Sequence, residues 1–266
     1  MHVHFLDPYR PRSSPVHRLD PRIKLVLTLV FIFTVALTPP GAWPVYILFL
    51  AIILSVEMLS DLGVRYVLRR SALAIPFVLA ALPIIFTMPP PYITQFTIGS
   101  WTVGISLAGV ERFFSIGVKS WISVQAAIVL AASTSFPDLL TAMRAIKIPR
   151  MLVAIFSLMW RYMFVLADET IRLMRARASR SGDAGLQGVK KGGSVLWRAR
   201  ITGGMAGNMF IRALERSDRI YMAMIARGYD GEIRSLPLPE LRSSQVWLAA
   251  GMVTLLLLLL ILSYVL

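Results

Sequence analysis

Two short stretches of this chain carry residue types that could do chemistry. Arg175-Ala176-Arg177-Ala178-Ser179-Arg180-Ser181 and Met222-Ala223-Met224-Ile225-Ala226-Arg227-Gly228 both align as Ala-x-x-small-Arg-small, at a spacing of 47 positions from Arg180 to Arg227. A guanidinium flanked by small residues is free to enter a groove and bond carboxylates or backbone carbonyls there. Basic residues at a helix end also complement the helix dipole and an anionic leaflet. That accounts for a single arginine, but it does not call for a repeated pattern. Two similar tips suit a partner with two similar docking sites.

Other chemistry is thinly represented. There is no cysteine, so disulfide scaffolds and thiolate metal sites are excluded. No Gly-x-x-x-x-Gly-Lys-Ser/Thr run occurs, so the chain brings no phosphate-binding loop of its own. His2-x-His4 has ligand types suited to cobalt or nickel, but an N-terminal tail is the simpler reading, and no metal or cofactor site is assigned. His17 supports the turn before the first apolar run. Asp138 is first-turn helix chemistry. Met159, Met163, Met205, Met209, Met222 and Met224 read as adaptable packing. Glu215, Asp218 and Arg219 are expected to form helix-surface pairs.

The arginine tips need long elements to carry them. Met151–Arg180 reads as one helix, apolar in its first half apart from Arg161 and basic in its second. Gly182, Gly185, Gly188, Gly192 and Gly193 mark a connection. Val195–Arg227 reads as a second long helix that ends at Gly228, a good residue for the position after the cap. Gly203, Gly204 and Gly207 each weaken it by ~1 kcal/mol relative to alanine. Close passage of another helix would justify them, so the two long helices are expected to cross there. A short helix over Pro137–Lys147, capped by Ser135 or Thr134, precedes the pair, and Pro149 restarts the chain.

These helices sit in an unusual chain. It has 266 residues, is 56% hydrophobic and only 16% charged, and carries a net charge of +14. Soluble domains hold about 25% charged residues, so the deficit points to a membrane protein. Five runs are nearly free of charge: Leu25–Leu37, Trp43–Val56, Ala72–Met88 (kinked at Pro76 and Pro83), Ile105–Ala132 and Val246–Leu266. Asp20-Pro21 reads as the start of the first helix. The loops between the runs alternate, basic then uncharged, and Pro89–Gly104 is one of the uncharged ones. The segment Phe136–Arg242 holds 18 of the 28 Lys and Arg. The positive-inside rule then puts the N-terminus in the cytoplasm and the C-terminus outside. Arg112 is expected near the outer interface, and Lys119 is expected to snorkel or face other helices. No cleavable signal peptide is expected. The long helix from Met151 is expected to lie along the membrane surface, because a sixth crossing would need a charged return.

At three places the chain resembles the transmembrane (T) component of energy-coupling-factor transporters, of the cobalt type called CbiQ. Ser14-Pro15-Val16-His17-Arg18-Leu19-Asp20-Pro21-Arg22-Ile23-Lys24 resembles that family's entry into its first membrane helix. Phe136-Pro137-Asp138-Leu139-Leu140, with Pro149-Arg150, resembles its first cytoplasmic helix and break. Arg216-Ser217-Asp218-Arg219-Ile220-Tyr221-Met222-Ala223-Met224-Ile225-Ala226-Arg227-Gly228-Tyr229-Asp230-Gly231 resembles its signature. The resemblance implies a coupling subunit that docks two arginine-tipped helices into two ATP-binding-cassette ATPase subunits and relays their movement to a separate substrate-capturing membrane subunit. Ser179, Arg180, Ser181, Ala226, Arg227 and Gly228 match the coupling motifs. Ser179-Arg180-Ser181 departs from the usual Ala-Arg-Gly or Ala-Arg-Ser, which leaves Arg177 as a rival to Arg180.

The expectation is therefore an all-α, polytopic protein of a prokaryotic cytoplasmic membrane. It has about five spans in three parts: membrane helices over 1–135, coupling helices over 136–242 and a last span over 243–266. Its expected role is non-enzymatic, within an ATP-driven importer of cobalt or nickel. A stand-alone secondary transporter would show repeated halves and midplane charges. A membrane enzyme acting on anionic substrates would need a clustered acid, base or nucleophile. The positive-inside rule accounts for the high pI without nucleic acid.

Overall fold

The computed structural model describes residues 8–88, 92–98, 101–180, 194–231 and 240–265. The first helices follow from local chemistry. Ser14 caps α1 (Pro15–Arg18): its Oγ accepts from the His17 N–H at 3.3 Å and lies 2.7 Å from His17 Nδ1. His17 Nε2 bonds the Arg10 carbonyl at 3.0 Å, and burial pushes this imidazole below its ordinary value of 6.5. Asp20 then caps α2 (Pro21–Leu37) through a 2.9 Å bond from the Arg22 N–H, with Pro21 at the first helical position. Gly41 turns the chain at φ +90° into α3 (Trp43–Leu59).

The third expected span differs most from its expectation. A single kinked helix over Ala72–Met88 is replaced by α4 (Val64–Ser71), a 3-10 turn at Ala72–Ala74, α5 (Ile75–Ala80) and α6 (Ile84–Thr87). Pro76 falls in the first turn of α5 and Pro83 caps α6. Each proline lacks an N–H and crowds the preceding turn, so each starts a new piece instead of bending an old one. The uncharged connection after it forms an antiparallel hairpin, β1 (Tyr92–Ile98) with β2 (Trp101–Ser106). Helices resume with α7 (Leu107–Ser133) and α8 (Phe136–Ala145). They continue through α9 (Arg150–Arg180), α10 (Val195–Ala226) and α11 (Ser243–Val265). Ser135 caps α8: its Oγ accepts from the Asp138 N–H at 3.3 Å and donates to Asp138 Oδ2 at 2.6 Å. The protein is all-α apart from that hairpin.

The chain divides into two compact units, one of residues 8–146 and 238–266 and one of residues 147–237. In the first, α2, α3, α7 and α11 enclose a core of Phe31, Val35, Phe49, Ile122, Val129 and Leu256. Phe31 and Phe49 meet edge to face at 5.7 Å. α8 packs on α2, so it belongs with these helices. The second unit begins at Lys147.

Hydrogen bonds fix the helix directions. The Asp20 N–H donates to Gln245 Oε1 at 3.3 Å, and the Tyr264 hydroxyl donates to the Leu37 carbonyl at 3.0 Å. Both ends of α11 therefore meet the same ends of α2, and the two helices run parallel. Lys24 Nζ donates to the Ser133 carbonyl at 3.0 Å, and Lys119 Nζ donates to the Thr38 carbonyl, so α7 runs antiparallel to α2. This relative order agrees with the alternation read from the loops. Lys119 faces other helices and does not snorkel: its ammonium also lies 5.8 Å from the Tyr46 ring. A Cβ on Gly109 would come within 2.8 Å of the Ile84 carbonyl, so α6 and α7 pack backbone to backbone only because position 109 is glycine.

Among the described residues, four segments are long and apolar enough to cross a membrane: Val64–Thr87, Leu107–Ser133, Arg150–Arg180 and Ser243–Val265. α2 and α3 have 17 residues each, about 26 Å of helix. The protein is a multi-pass membrane protein.

Candidate coupling helices

α9 and α10 carry the repeated arginine pattern, and both lie in the second compact unit. They touch through polar groups. Glu169 on α9 takes two arginines from α10, with Arg212 Nη1 at 3.7 Å from Oε1 and Arg216 Nη2 at 3.3 Å from Oε2. Thr170 Oγ1 lies 3.1 Å from Met209 Sδ. Arg177 Nη1 donates to Thr202 Oγ1 at 2.9 Å, and that hydroxyl donates on to the Arg198 carbonyl at 2.8 Å. As numbers rise from 169 to 177 on α9, their partners fall from 216 to 202 on α10, so the helices pair antiparallel.

This order places the two arginine tips at opposite ends of the pair. At 1.5 Å per residue, Arg180 lies about 15 Å beyond the Thr170–Met209 contact and Arg227 about 27 Å from it in the other direction, which separates the tips by roughly 40 Å along the pair.

The Arg227 tip is a well-formed helix terminus. Ala226 ends α10, Arg227 is its C-cap, and Gly228 takes φ +79°. The Gly228 N–H donates to the Ile225 carbonyl at 2.9 Å and the Tyr229 N–H to the Met224 carbonyl at 3.0 Å. These two bonds define a Schellman motif, which needs the left-handed backbone that glycine alone adopts without strain. Met224 and Tyr229, the positions whose side chains close such a motif, are half-buried, while Arg227 is exposed. Among the described residues its guanidinium has no partner.

The first tip is simpler. α9 stays helical through Arg180, which is exposed, and Ser179 Oγ donates to the Ala176 carbonyl at 2.9 Å. Ser181 and the glycines from Gly182 to Gly193 lie outside the described residues. Arg177, the rival to Arg180, is half-buried and engaged with Thr202.

The structure departs from two expectations about this pair. No close backbone approach accompanies Gly203, Gly204 and Gly207: a Cβ at any of the three would meet nothing within 4 Å. Arginine side chains span the gap between the helices, so their backbones need not approach closely. Nor do Glu215, Asp218 and Arg219 make ion pairs among the described residues; α10 sends Arg212 and Arg216 to Glu169 instead. Glu169 and Thr202 are the residues that sequence reasoning missed. Their available signal was a carboxylate at 169 ahead of a run of arginines, with Arg212 and Arg216 spaced one helical turn apart to receive it. Among the described residues no three His, Cys, Asp or Glu side chains gather as a metal site, and His2 and His4 lie outside those residues.

Comparison with known proteins agrees with this architecture. The cobalt transport protein family, CbiQ, matches residues 12–237. The energy-coupling factor transporter transmembrane protein EcfT of Thermanaerovibrio acidaminovorans is 28% identical over 264 residues, covering 94% of this chain and 92% of that one. The cobalt transport protein CbiQ of Salmonella typhimurium is 26% identical over 235 residues, covering 85% of this chain and 97% of its own. An uncharacterized protein of Methanocaldococcus jannaschii is 25% identical over 246 residues, covering 91% and 80%.

Proposed function

The chain belongs to the CbiQ cobalt transport protein family, and from that premise we propose that it is the transmembrane coupling subunit of an ATP-driven importer of the energy-coupling-factor type. Its cargo is a cobalt ion, or the chemically close nickel ion. Its partners are two ATP-binding-cassette ATPase subunits, which supply the energy, and an integral membrane subunit, which captures the metal. The N-terminus faces the cytoplasm of a prokaryotic cell, and α9 lies along the membrane surface on that side.

The observation that carries this reading is the placement of two exposed arginines at opposite ends of one antiparallel helix pair. A single patch of basic residues would serve a single anionic site. Two separate tips, each with small neighbours, suit two equivalent grooves related by the symmetry of a paired ATPase. Each guanidinium would make charge-assisted bonds to carboxylates or carbonyls in its groove. Arg180 takes the first site in preference to Arg177, whose guanidinium already bonds Thr202. Motion of the grooves would then pass along two stiff helices, which Glu169 ties together.

The test is reconstitution of the chain with both ATPase subunits and the capture subunit in liposomes, read as uptake of radioactive cobalt. The Arg180→Ala/Arg227→Ala variant is expected to lose uptake at least tenfold, since a charged hydrogen bond contributes about 1.5–3 kcal/mol. A variant that assembles and transports normally would overturn the coupling role.

A further inference from the structure

A second arginine cluster lies in the compact unit that does not hold α9 and α10. At the start of the segment Val64–Thr87, Arg10 and Arg70 both stack on Tyr66, their guanidinium carbons 3.7 and 4.8 Å from the ring centroid. Arg69 joins them around one open recess. Among the described residues none of these three arginines makes an ion pair. Like charges gathered without a counter-charge repel, and an anion set among them would turn that repulsion into attraction.

The cluster is held in place. The Arg10 N–H donates to the Ala132 carbonyl at 2.9 Å, and the Arg10 carbonyl accepts from His17 Nε2 at 3.0 Å. Both polar groups of its backbone are thus tied to helical elements, so Arg10 is not part of a loose tail. Tyr66, Arg69 and Arg70 lie within one turn of α4. Stacking on the ring leaves the in-plane N–H donors of each guanidinium for a ligand.

The recess is also amphiphilic. Its remaining wall includes Leu73 and Pro76, and Leu73 is 69% exposed. Ile75 and Phe77, next along the segment, are exposed as well. Cations therefore stand at one end of a segment able to cross a membrane, and bare apolar side chains follow directly. That is the order of a phospholipid, phosphate first and acyl chain next. A free phosphate would use the arginines and leave the apolar wall uncovered. We propose that Arg10, Arg69 and Arg70, arranged around Tyr66, form a headgroup site for an anionic phospholipid.

The experiment is native mass spectrometry of the full chain in detergent, titrated separately with dioleoylphosphatidylglycerol, dioleoylphosphatidylcholine and inorganic phosphate. Phosphatidylglycerol is expected to bind about tenfold or more tightly than phosphatidylcholine, since each surface arginine contributes about fivefold. Arg10→Ala/Arg70→Ala is expected to cut the preference for phosphatidylglycerol at least fivefold. Arg200→Ala/Arg219→Ala, which removes the same charge elsewhere, is expected to keep the preference. Thermal melting in the same detergent accompanies each variant. Should Arg10→Ala/Arg70→Ala fail to fold, Tyr66→Leu, which removes the stack and no charge, is expected to lose several-fold. Equal binding of the two lipids by the native chain would overturn the proposal. So would an equal loss in the two double variants, or displacement of phosphatidylglycerol by inorganic phosphate, which would mark a site for the free anion.

Discussion

Arg177 donates from Nη1 to the Thr202 hydroxyl at 2.9 Å, across the gap between α9 and α10. One of two neighbouring arginines thus closes the helix pair, while Arg180, one turn on, stays exposed. Their substitutions should separate. Arg177→Ala is expected to lower the stability of the pair by about 1 kcal/mol, seen in thermal melting. Arg180→Ala is expected to leave stability within about 0.5 kcal/mol and to impair cobalt uptake in the assembled transporter more strongly than Arg177→Ala does.

Gly228 should tolerate few replacements. At φ +79° a Cβ meets the following carbonyl, so Gly228→Ala is expected to cost ~1–2 kcal/mol at the end of α10. The amides of Gly228 and Tyr229, which make the two terminal bonds, should then exchange with deuterium at least fivefold faster. Gly228→Asn, which accepts the left-handed region more readily, should restore most of the protection.

Glu169 holds two arginines with one carboxylate. Glu169→Gln is expected to destabilise the pair by about 1 kcal/mol at low salt, and by less at 0.5 M NaCl, where partly exposed ion pairs are screened. A double-mutant cycle with Arg216→Gln, measured by melting in detergent, should give a coupling energy that shrinks with salt. A salt-independent coupling would contradict the ion-pair assignment.

The glycines offer a contrast. A Cβ on Gly207 meets nothing within 4 Å, whereas one on Gly109 meets the backbone of α6. Gly207→Ala is expected to raise the stability of the isolated chain by up to ~1 kcal/mol. Gly109→Ala should lower it by more than ~1 kcal/mol, because the backbone of α6 would have to shift. Melting of both variants in detergent decides the comparison.

His17 makes stability depend on pH. Its folded imidazole titrates below the ordinary 6.5 because burial disfavours the charged form. The unfolded chain therefore takes up the proton first as pH falls. The stabilisation is present above about pH 6.5 and is lost as pH drops through the ordinary histidine value, levelling off below the folded value. Melting temperature should fall across that interval, and His17→Gln should flatten the curve.

Much of this was legible in order along the chain. Asp20-Pro21, Ser135 with Asp138, and Gly228 marked helix ends correctly, because capping depends on residues a few positions apart. Charge-free runs and alternating basic loops gave the all-α membrane architecture, and with it the relative directions of α2, α7 and α11. The repeated arginines could be seen as a pair for the same reason, since a pattern on one strand of sequence needs no folding to be recognised.

Tertiary structure decided what depends on distance through space. Pro76 and Pro83 foretold a disturbance, but not that each would start a separate piece instead of bending one helix. Glycine supplied close contact at Gly109 and not at Gly203, Gly204 or Gly207; which glycine meets a neighbouring backbone depends on a partner that the local sequence does not name. Arg177 and Arg180 differ by one turn and share one composition, and only the position of Thr202 on another helix distinguishes them. The antiparallel pairing that sends Arg180 and Arg227 to opposite ends rests on Glu169, Arg212 and Arg216, which are brought together across more than forty residues by a contact no sequence periodicity records.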